Sequence, residues 1–158
     1  MLDTTEIGIF TTLGVAFAAG LVFLALWGKQ NPLRLSAYAL IAASCLYVGF
    51  AFRSDDPNSW FAVEMTGVAI FGSLAYLSII SSPWFLALGL ALHPLWAIVF
   101  HYNGSGAAFT PGPFALANAG FDAALAVYAV YAILQRGKNK PLSPIAQDNR
   151  KTRRAKAK

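Results

Sequence analysis

Residues 84–102 read WFLALGLALHPLWAIVFHY and contain no Asp, Glu, Lys or Arg. The hydrocarbon core of a bilayer is about 30 Å thick, and a helix needs roughly 20 mostly apolar residues to cross it. This stretch has that length and composition, so it predicts a membrane-spanning helix. It also holds two histidines and a proline, and ionisable residues inside a membrane span need a partner or a task.

Four further segments pass the same test of length and apolar composition. We predict membrane-spanning helices over residues 7–27, 35–52, 60–80 and 113–134 in addition to the first stretch. The segments between them are rich in Gly, Pro, Asn, Asp and Ser, which is typical of turns at a membrane surface. The sequence therefore predicts an all-α integral membrane bundle of five transmembrane helices over residues 1–135.

The overall composition supports a membrane protein. Hydrophobic residues make up 57% of the chain and charged residues only 12%, and the mean hydropathy is +0.54. A single water-soluble core could not bury so much apolar surface. The lone cysteine, Cys45, excludes an intrachain disulfide and a metal site built from several cysteines.

The basic residues predict the orientation. Most Lys and Arg residues follow Gln135, and we predict that residues 136–158 form a disordered basic tail, because this segment has little to bury. Lys and Arg concentrate on the cytoplasmic side, so the C-terminus is expected in the cytoplasm and, with five spans, the N-terminus outside. We expect a bacterial inner membrane as the location, acidic lipid headgroups as partners of the tail, and no nucleic-acid binding, because no folded reading element accompanies the charges.

Four ionisable side chains lie within or at the edge of the predicted spans: Glu64, His93, His101 and Asp122. At about 1.5 Å of rise per residue, His93 lies roughly 12 Å deeper than His101. Asp122 falls at nearly the depth of His93, and Glu64 lies about one turn below the outer start of its span. Three helices therefore direct ionisable groups toward the outer half of the bilayer.

Helix periodicity indicates which faces turn inward. His93 and His101 are about 80° apart on a regular helix, so one broad face can hold both, and Pro94 alters that phase by removing a backbone hydrogen bond. A stripe of small and polar residues on the last helix is predicted to face other helices. It consists of Ala115, Asn118, Asp122, Ala126 and Ala129. Secondary candidates for the polar site are Tyr47, Thr66, Trp96 and Asn118.

These residues allow several interpretations. One is a polar pocket that opens outward, in which two imidazoles and two carboxylates exchange protons or bind a divalent transition metal such as zinc, iron or manganese. The other is a structural pair, His93 with Asp122, that holds two helices together. In that case Glu64 and His101 would reach water at the interface, which for Glu64 is the favoured interpretation.

The functional predictions are correspondingly broad. The first is a small multi-pass membrane protein with an accessory or transport-related role, and the alternative is a metal-dependent membrane enzyme that acts on a lipid-like substrate. No phosphate-binding loop, nucleophile elbow or His-Glu-x-x-His motif occurs, so the sequence does not decide whether the protein is an enzyme. Ala16 and Gly20 form a small-xxx-small pair that would suit a homo-oligomer or a larger membrane complex.

The segments ALHPLWAIVFHY and GFDAALAVYAVY carry a resemblance to a known group. They resemble the paired histidine helix and aspartate helix of an uncharacterised family of small bacterial polytopic membrane proteins, in which a His-x-x-Trp-Asp-x-x-His segment precedes a Tyr-Asp or Phe-Asp helix. His93, Trp96, His101 and Asp122 match in type. Ala97 stands where the family has Asp, and the second histidine is displaced. The family has no assigned activity, so the resemblance implies where a site lies and no chemistry.

Overall fold

The protein is an all-α bundle, described by a computed structural model over residues 2–138. Its helices are α1 (Thr4–Trp27), α2 (Pro32–Ala51), α3 (Pro57–Ile80), α4 (Trp84–Trp96) and α5 (Gly112–Lys138). The end of α4 continues into a π-helical segment, the π turn (Ala97–Tyr102), and a short 3-10 helix (Ser105–Ala108) precedes α5. Counting the π turn with α4, all five helices are long and apolar enough to cross a membrane. This confirms the predicted helix class and the five candidate spans.

Three helices begin three residues earlier than the apolar runs predicted. The predicted starts were residues 7, 35 and 60, whereas α1, α2 and α3 begin at Thr4, Pro32 and Pro57. Asp3, Asn31 and Asp56 precede these starts, and the side chain of each accepts a backbone N–H of the first turn. The helices therefore begin where a cap is available, and hydropathy marks only their apolar part.

The last helix is longer than predicted. α5 continues to Lys138, so the first three residues assigned to the basic tail are helical. The rest of that predicted tail, residues 139–158, lies outside the described residues, and its disorder stays a prediction.

Helix α5 is the element that holds the bundle together. It packs against α1 on one side and against α4 and the π turn on another, while α2 packs on α3 and α3 also contacts α4. Apolar side chains from all five helices meet in the core, among them Ala18, Leu40, Phe71, Leu90 and Leu125. Short connections make consecutive helices antiparallel neighbours.

Helices α1 and α5 approach each other almost backbone to backbone. A Cβ atom added at Gly14 would overlap the carbonyl oxygen of Ala117, and one added at Gly120 would overlap that of Thr11. Glycines at both positions therefore permit this contact, and small residues play the same part where membrane helices pack closely. Ala16 is exposed and Gly20 has nothing within 4 Å of an added Cβ, so the predicted small-xxx-small pair does not pack within the chain.

Candidate functional site

A carboxylate, an imidazole and a hydroxyl are aligned in the middle of the bundle. His93 Nδ1 donates a hydrogen bond to Asp122 Oδ2 at 2.6 Å, and both side chains are fully buried. On the other side of the ring, His93 Nε2 lies 3.4 Å from the hydroxyl of Ser44. We call Ser44, His93 and Asp122 the inner triad. The sequence predicted that His93 and Asp122 lie level with each other, and their contact confirms it.

Two more polar side chains join the inner triad. Asn118 lies one turn before Asp122 on α5, and its Nδ2 donates to Asp122 Oδ2 at 3.0 Å. The same amide donates to the hydroxyl of Tyr47 at 3.5 Å. The predicted stripe on α5 therefore faces the other helices: Ala115, Asp122 and Ala129 are fully buried. That orientation follows from the small and polar residues of the stripe.

A second group of the same composition surrounds the other histidine. His101 Nε2 lies 3.2 Å from Glu64 Oε1, although the two atoms are not aligned for a hydrogen bond. His101 Nδ1 lies 3.1 Å from the hydroxyl of Thr110. We call Glu64, His101 and Thr110 the outer triad. Each imidazole thus has a carboxylate on one nitrogen and a hydroxyl on the other.

The π turn brings both histidines to the same side of their helix. Pro94 has no N–H for the carbonyl of Leu90, and the chain then closes its hydrogen bonds over five residues instead of four. Each residue of a π-helix turns less than in an α-helix, so the offset of about 80° expected for a regular helix is reduced. Both rings consequently contact Tyr47 of α2.

Tyr47 lies between the two triads. Its ring stacks on His101 with a centroid distance of 4.1 Å and meets His93 edge-on at 5.8 Å. Trp96 closes another side of the cluster, since its Nε1 donates to Glu64 Oε2 at 3.4 Å. The polar cluster, meaning both triads with Tyr47, Trp96 and Asn118, is therefore continuous from the π turn to the middle of α5.

The structure changes three details of the predicted site. Glu64 is only 1% exposed and His101 is fully buried, so the prediction that they reach water at the interface is wrong. The four ionisable side chains form a closed cluster in this structure and do not open outward. Thr66 is exposed, and its hydroxyl donates to the carbonyl of Ala62 on its own helix, so it does not belong to the site.

Neither hydroxyl residue of the triads was predicted from the sequence. Ser44 lies one turn after Leu40 and one turn before Tyr47 on the buried face of α2, and that periodicity could have indicated it. Thr110 lies in the connection between the π turn and α5, where no periodicity exists. Only the folded position of that connection brings its hydroxyl to His101.

The metal hypothesis finds no ligand set in the described part of the chain. The four predicted ligands separate into two pairs, His93 with Asp122 and Glu64 with His101. Within residues 2–138, no group of three or more His, Cys, Asp or Glu side chains is close enough to hold a metal ion. The metal-dependent enzyme therefore receives no support from this geometry.

The connection after the π turn covers the outer triad. Phe109 packs edge-on against Trp60 at a centroid distance of 4.8 Å and lies beside His101 at 6.3 Å. Gly106 permits this close approach, because an added Cβ would lie 2.8 Å from His101 Nδ1. Thr110 completes the cover with a buried hydroxyl.

We expect Thr110→Val to destabilise the protein by about 1–3 kcal/mol, because His101 Nδ1 would remain buried without a partner. Thermal unfolding of the purified protein in detergent measures this effect. Thr110→Ser keeps the hydroxyl and should lose clearly less stability. Equal losses in the two variants would show that the methyl group matters and the hydroxyl does not.

Comparisons of the chain with protein-family models, with curated proteins and with solved structures find no match.

Proposed function

We propose that the chain is a multi-pass protein of a bacterial inner membrane whose polar cluster takes up and passes protons in the outer half of the bilayer. In this proposal the two triads are the proton-carrying groups, and the protein has an accessory or transport-related role. The observation that carries the proposal is the position of each imidazole between a carboxylate and a hydroxyl.

Such a position gives His93 a partner at Nε2 in both charge states of the ring. A hydroxyl can donate to a neutral ring nitrogen or accept from a protonated one. The hydroxyl of Ser44 also has a second acceptor, the carbonyl of Leu40 at 2.9 Å, so its hydrogen has a place when His93 Nε2 is protonated. A histidine with a purely structural role would need hydrogen-bond partners for only one charge state of its ring. Ser44 and Asp122 supply His93 with partners for both states.

Incomplete hydrogen bonding favours proton transfer over a static role. Glu64 Oε1, His101 Nε2 and Asp122 Oδ1 are buried without a hydrogen-bond partner. A buried polar atom that lacks a partner costs about 1–3 kcal/mol, and a role in chemistry is one explanation for such an atom. A cluster that served only to hold helices together would be expected to satisfy them.

How far the polar cluster reaches across the bundle bears on whether protons would cross the membrane. Tyr47 connects the outer triad to the inner triad. Beyond His93 and Asp122, the predicted spans carry no further carboxylate or imidazole toward the cytoplasmic side. Protons taken up by the outer triad would therefore stop within the bundle. This suits coupling to a partner or a conformational change better than conduction across the membrane.

The inner triad also has the spatial arrangement of an acyl-transfer triad. The hydroxyl of Ser44 lies at Nε2 of His93, and the carboxylate of Asp122 lies at Nδ1. However, Ser44 is only 4% exposed, and its hydroxyl donates to a carbonyl of its own helix. A nucleophile must reach the carbonyl carbon of a substrate. The burial of Ser44 therefore favours proton transfer.

Nitrogen-15 NMR of histidine-labelled protein in lipid nanodiscs tests the proposal, because the chain contains only two histidines. The proposal requires that at least one ring change its protonation state reversibly when the pH is varied between about 5 and about 8, the range in which imidazoles exchange protons. Asp122→Asn should change the ring-nitrogen signals of His93, and Glu64→Gln those of His101, because each removes the neighbouring carboxylate. Asp55→Asn, in the loop before α3, is the matched control and should alter neither. Two rings that each keep one neutral tautomer throughout would overturn the proposal.

The proposal also covers the orientation of the chain in the membrane and its contacts with other chains. The N-terminus would lie outside and the C-terminus in the cytoplasm, as the basic residues predict. The exposed face of α1 around Ala16 and Gly20 would be the contact surface in a homo-oligomer or a larger membrane complex. A reporter fused after Lys158 should give a cytoplasmic signal, and a periplasmic signal would reverse the assignment of the outer half.

A further inference from the structure

A second polar region lies at the opposite end of the bundle from the outer triad. Four helix ends surround a cavity of about 220 Å³ there: the starts of α2 and α4 and the ends of α3 and α5. Its polar lining comprises Asn31, Arg34, Ser78, Ser81 and Arg136. This cavity, the basic cavity, is separate from the polar cluster, and no step of the proposed proton transfer uses it.

The two arginines give the basic cavity its charge. Arg136 Nη2 donates to Asn31 Oδ1 at 3.1 Å, which holds the guanidinium in place without neutralising it. No Asp or Glu occurs in residues 28–36, 78–86 or 130–138. Among residues 2–136, the ion pairs involve only the two histidines. The guanidinium charges at the cavity are therefore not compensated by a carboxylate in the described part of the chain.

The dipoles of the helix ends do not determine whether the cavity attracts an anion or a cation. Helices α2 and α4 begin at the basic cavity and bring the positive ends of their dipoles, whereas α3 and α5 end there and bring negative ends. These contributions oppose each other. The two guanidinium groups consequently determine that the cavity attracts an anion, and Ser81 adds a hydroxyl to its lining.

We infer that the basic cavity binds a phosphate group, with Arg34 and Arg136 as its charged ligands. Guanidinium groups match phosphate oxygens geometrically because they donate paired hydrogen bonds. The cavity lies at the ends of the spanning helices, which is the depth of lipid headgroups. The phosphate is that of an anionic phospholipid headgroup or free phosphate, since both present the same oxygens.

Native mass spectrometry of the full chain, with phosphatidylglycerol or diacylglycerol added, tests this site. We expect retention of phosphatidylglycerol and not of diacylglycerol, which lacks the phosphate. Arg34→Gln and Arg136→Gln should each weaken retention about tenfold, because each removes a charge-assisted contact. Lys29→Gln removes one positive charge from the same end of the bundle without altering the lining of the cavity, and it should weaken retention less than about twofold.

One further variant keeps the arginines intact. Ser81→Asp places a carboxylate on the cavity wall and should reduce retention as strongly as Arg34→Gln. Inorganic phosphate that displaces the lipid at millimolar concentration would identify free phosphate as the ligand, and lipid retained under that challenge would identify the headgroup. Equal losses in Lys29→Gln and the arginine variants, or full retention in Ser81→Asp, would overturn the inference. The histidine titration reports on the other end of the bundle, so failure of one proposal is distinguishable from failure of the other.

Discussion

Asp122→Leu is expected to reduce the free energy of unfolding by about 3–5 kcal/mol, because it leaves the partner of a buried pair without its acceptor. His93 Nδ1 and Asn118 Nδ2 both donate to Asp122 Oδ2, at 2.6 and 3.0 Å. Both donors would stay buried in the variant. Asp122→Asn preserves the shape and one oxygen acceptor, so it should lose much less stability. Unfolding by heat or by denaturing detergent measures both variants.

A double variant measures how strongly His93 and Asp122 depend on each other. In His93→Leu with Asp122→Leu, both partners of the hydrogen bond become apolar, and the loss should be smaller than the sum of the two single losses. Replacing both partners by apolar groups is often close to neutral. Single losses that simply add would mean that the two side chains are not coupled, contrary to their contact in the structure.

Gly14→Ala and Gly120→Ala should have the second largest effect. An added methyl group at either position would overlap a backbone carbonyl oxygen of the facing helix, and a backbone cannot rotate away as a side chain can. Overpacking of this kind costs about 1–3 kcal/mol and sometimes more. We expect α1 to separate from α5 or to shift along it, with a lower unfolding temperature in detergent.

The same helix supplies the control. Gly8→Ala places a methyl group in open space, and alanine favours the helix over glycine by about 1 kcal/mol. This variant should therefore be as stable as the original protein or slightly more stable. If it lost as much stability as Gly14→Ala, helix flexibility rather than the close contact would explain both results.

The fold was largely predictable because helices long and apolar enough to span a membrane are encoded in long apolar runs. Each predicted span overlaps an observed helix, and the depth count placed His93 beside Asp122. Helix starts were less predictable, since hydropathy does not detect capping residues such as Asn31 and Asp56. Orientation depends on the distribution of Lys and Arg, and it stays a prediction.

The site was only partly predictable. The residue types pointed to Glu64, His93, His101 and Asp122, because each is costly in a membrane. Which carboxylate meets which histidine depends on helix rotation, and the π turn changes that rotation locally. Thr110 enters the site through an irregular connection, whose path no periodic pattern describes. The sequence therefore indicated which residue types form the site, but not which carboxylate contacts which histidine.

The π turn makes the number of residues in α4 part of the site. A hydrogen bond that spans five residues accommodates one residue more than a regular turn. If this segment wound as an ordinary α-helix with the same number of residues, His101 would lie about 80° from His93, the offset of a regular helix. His101 would then leave Glu64 and Tyr47 although every side chain of the cluster was still present. In this protein the outer triad therefore depends on the winding of the π turn as much as on the side chains that it carries.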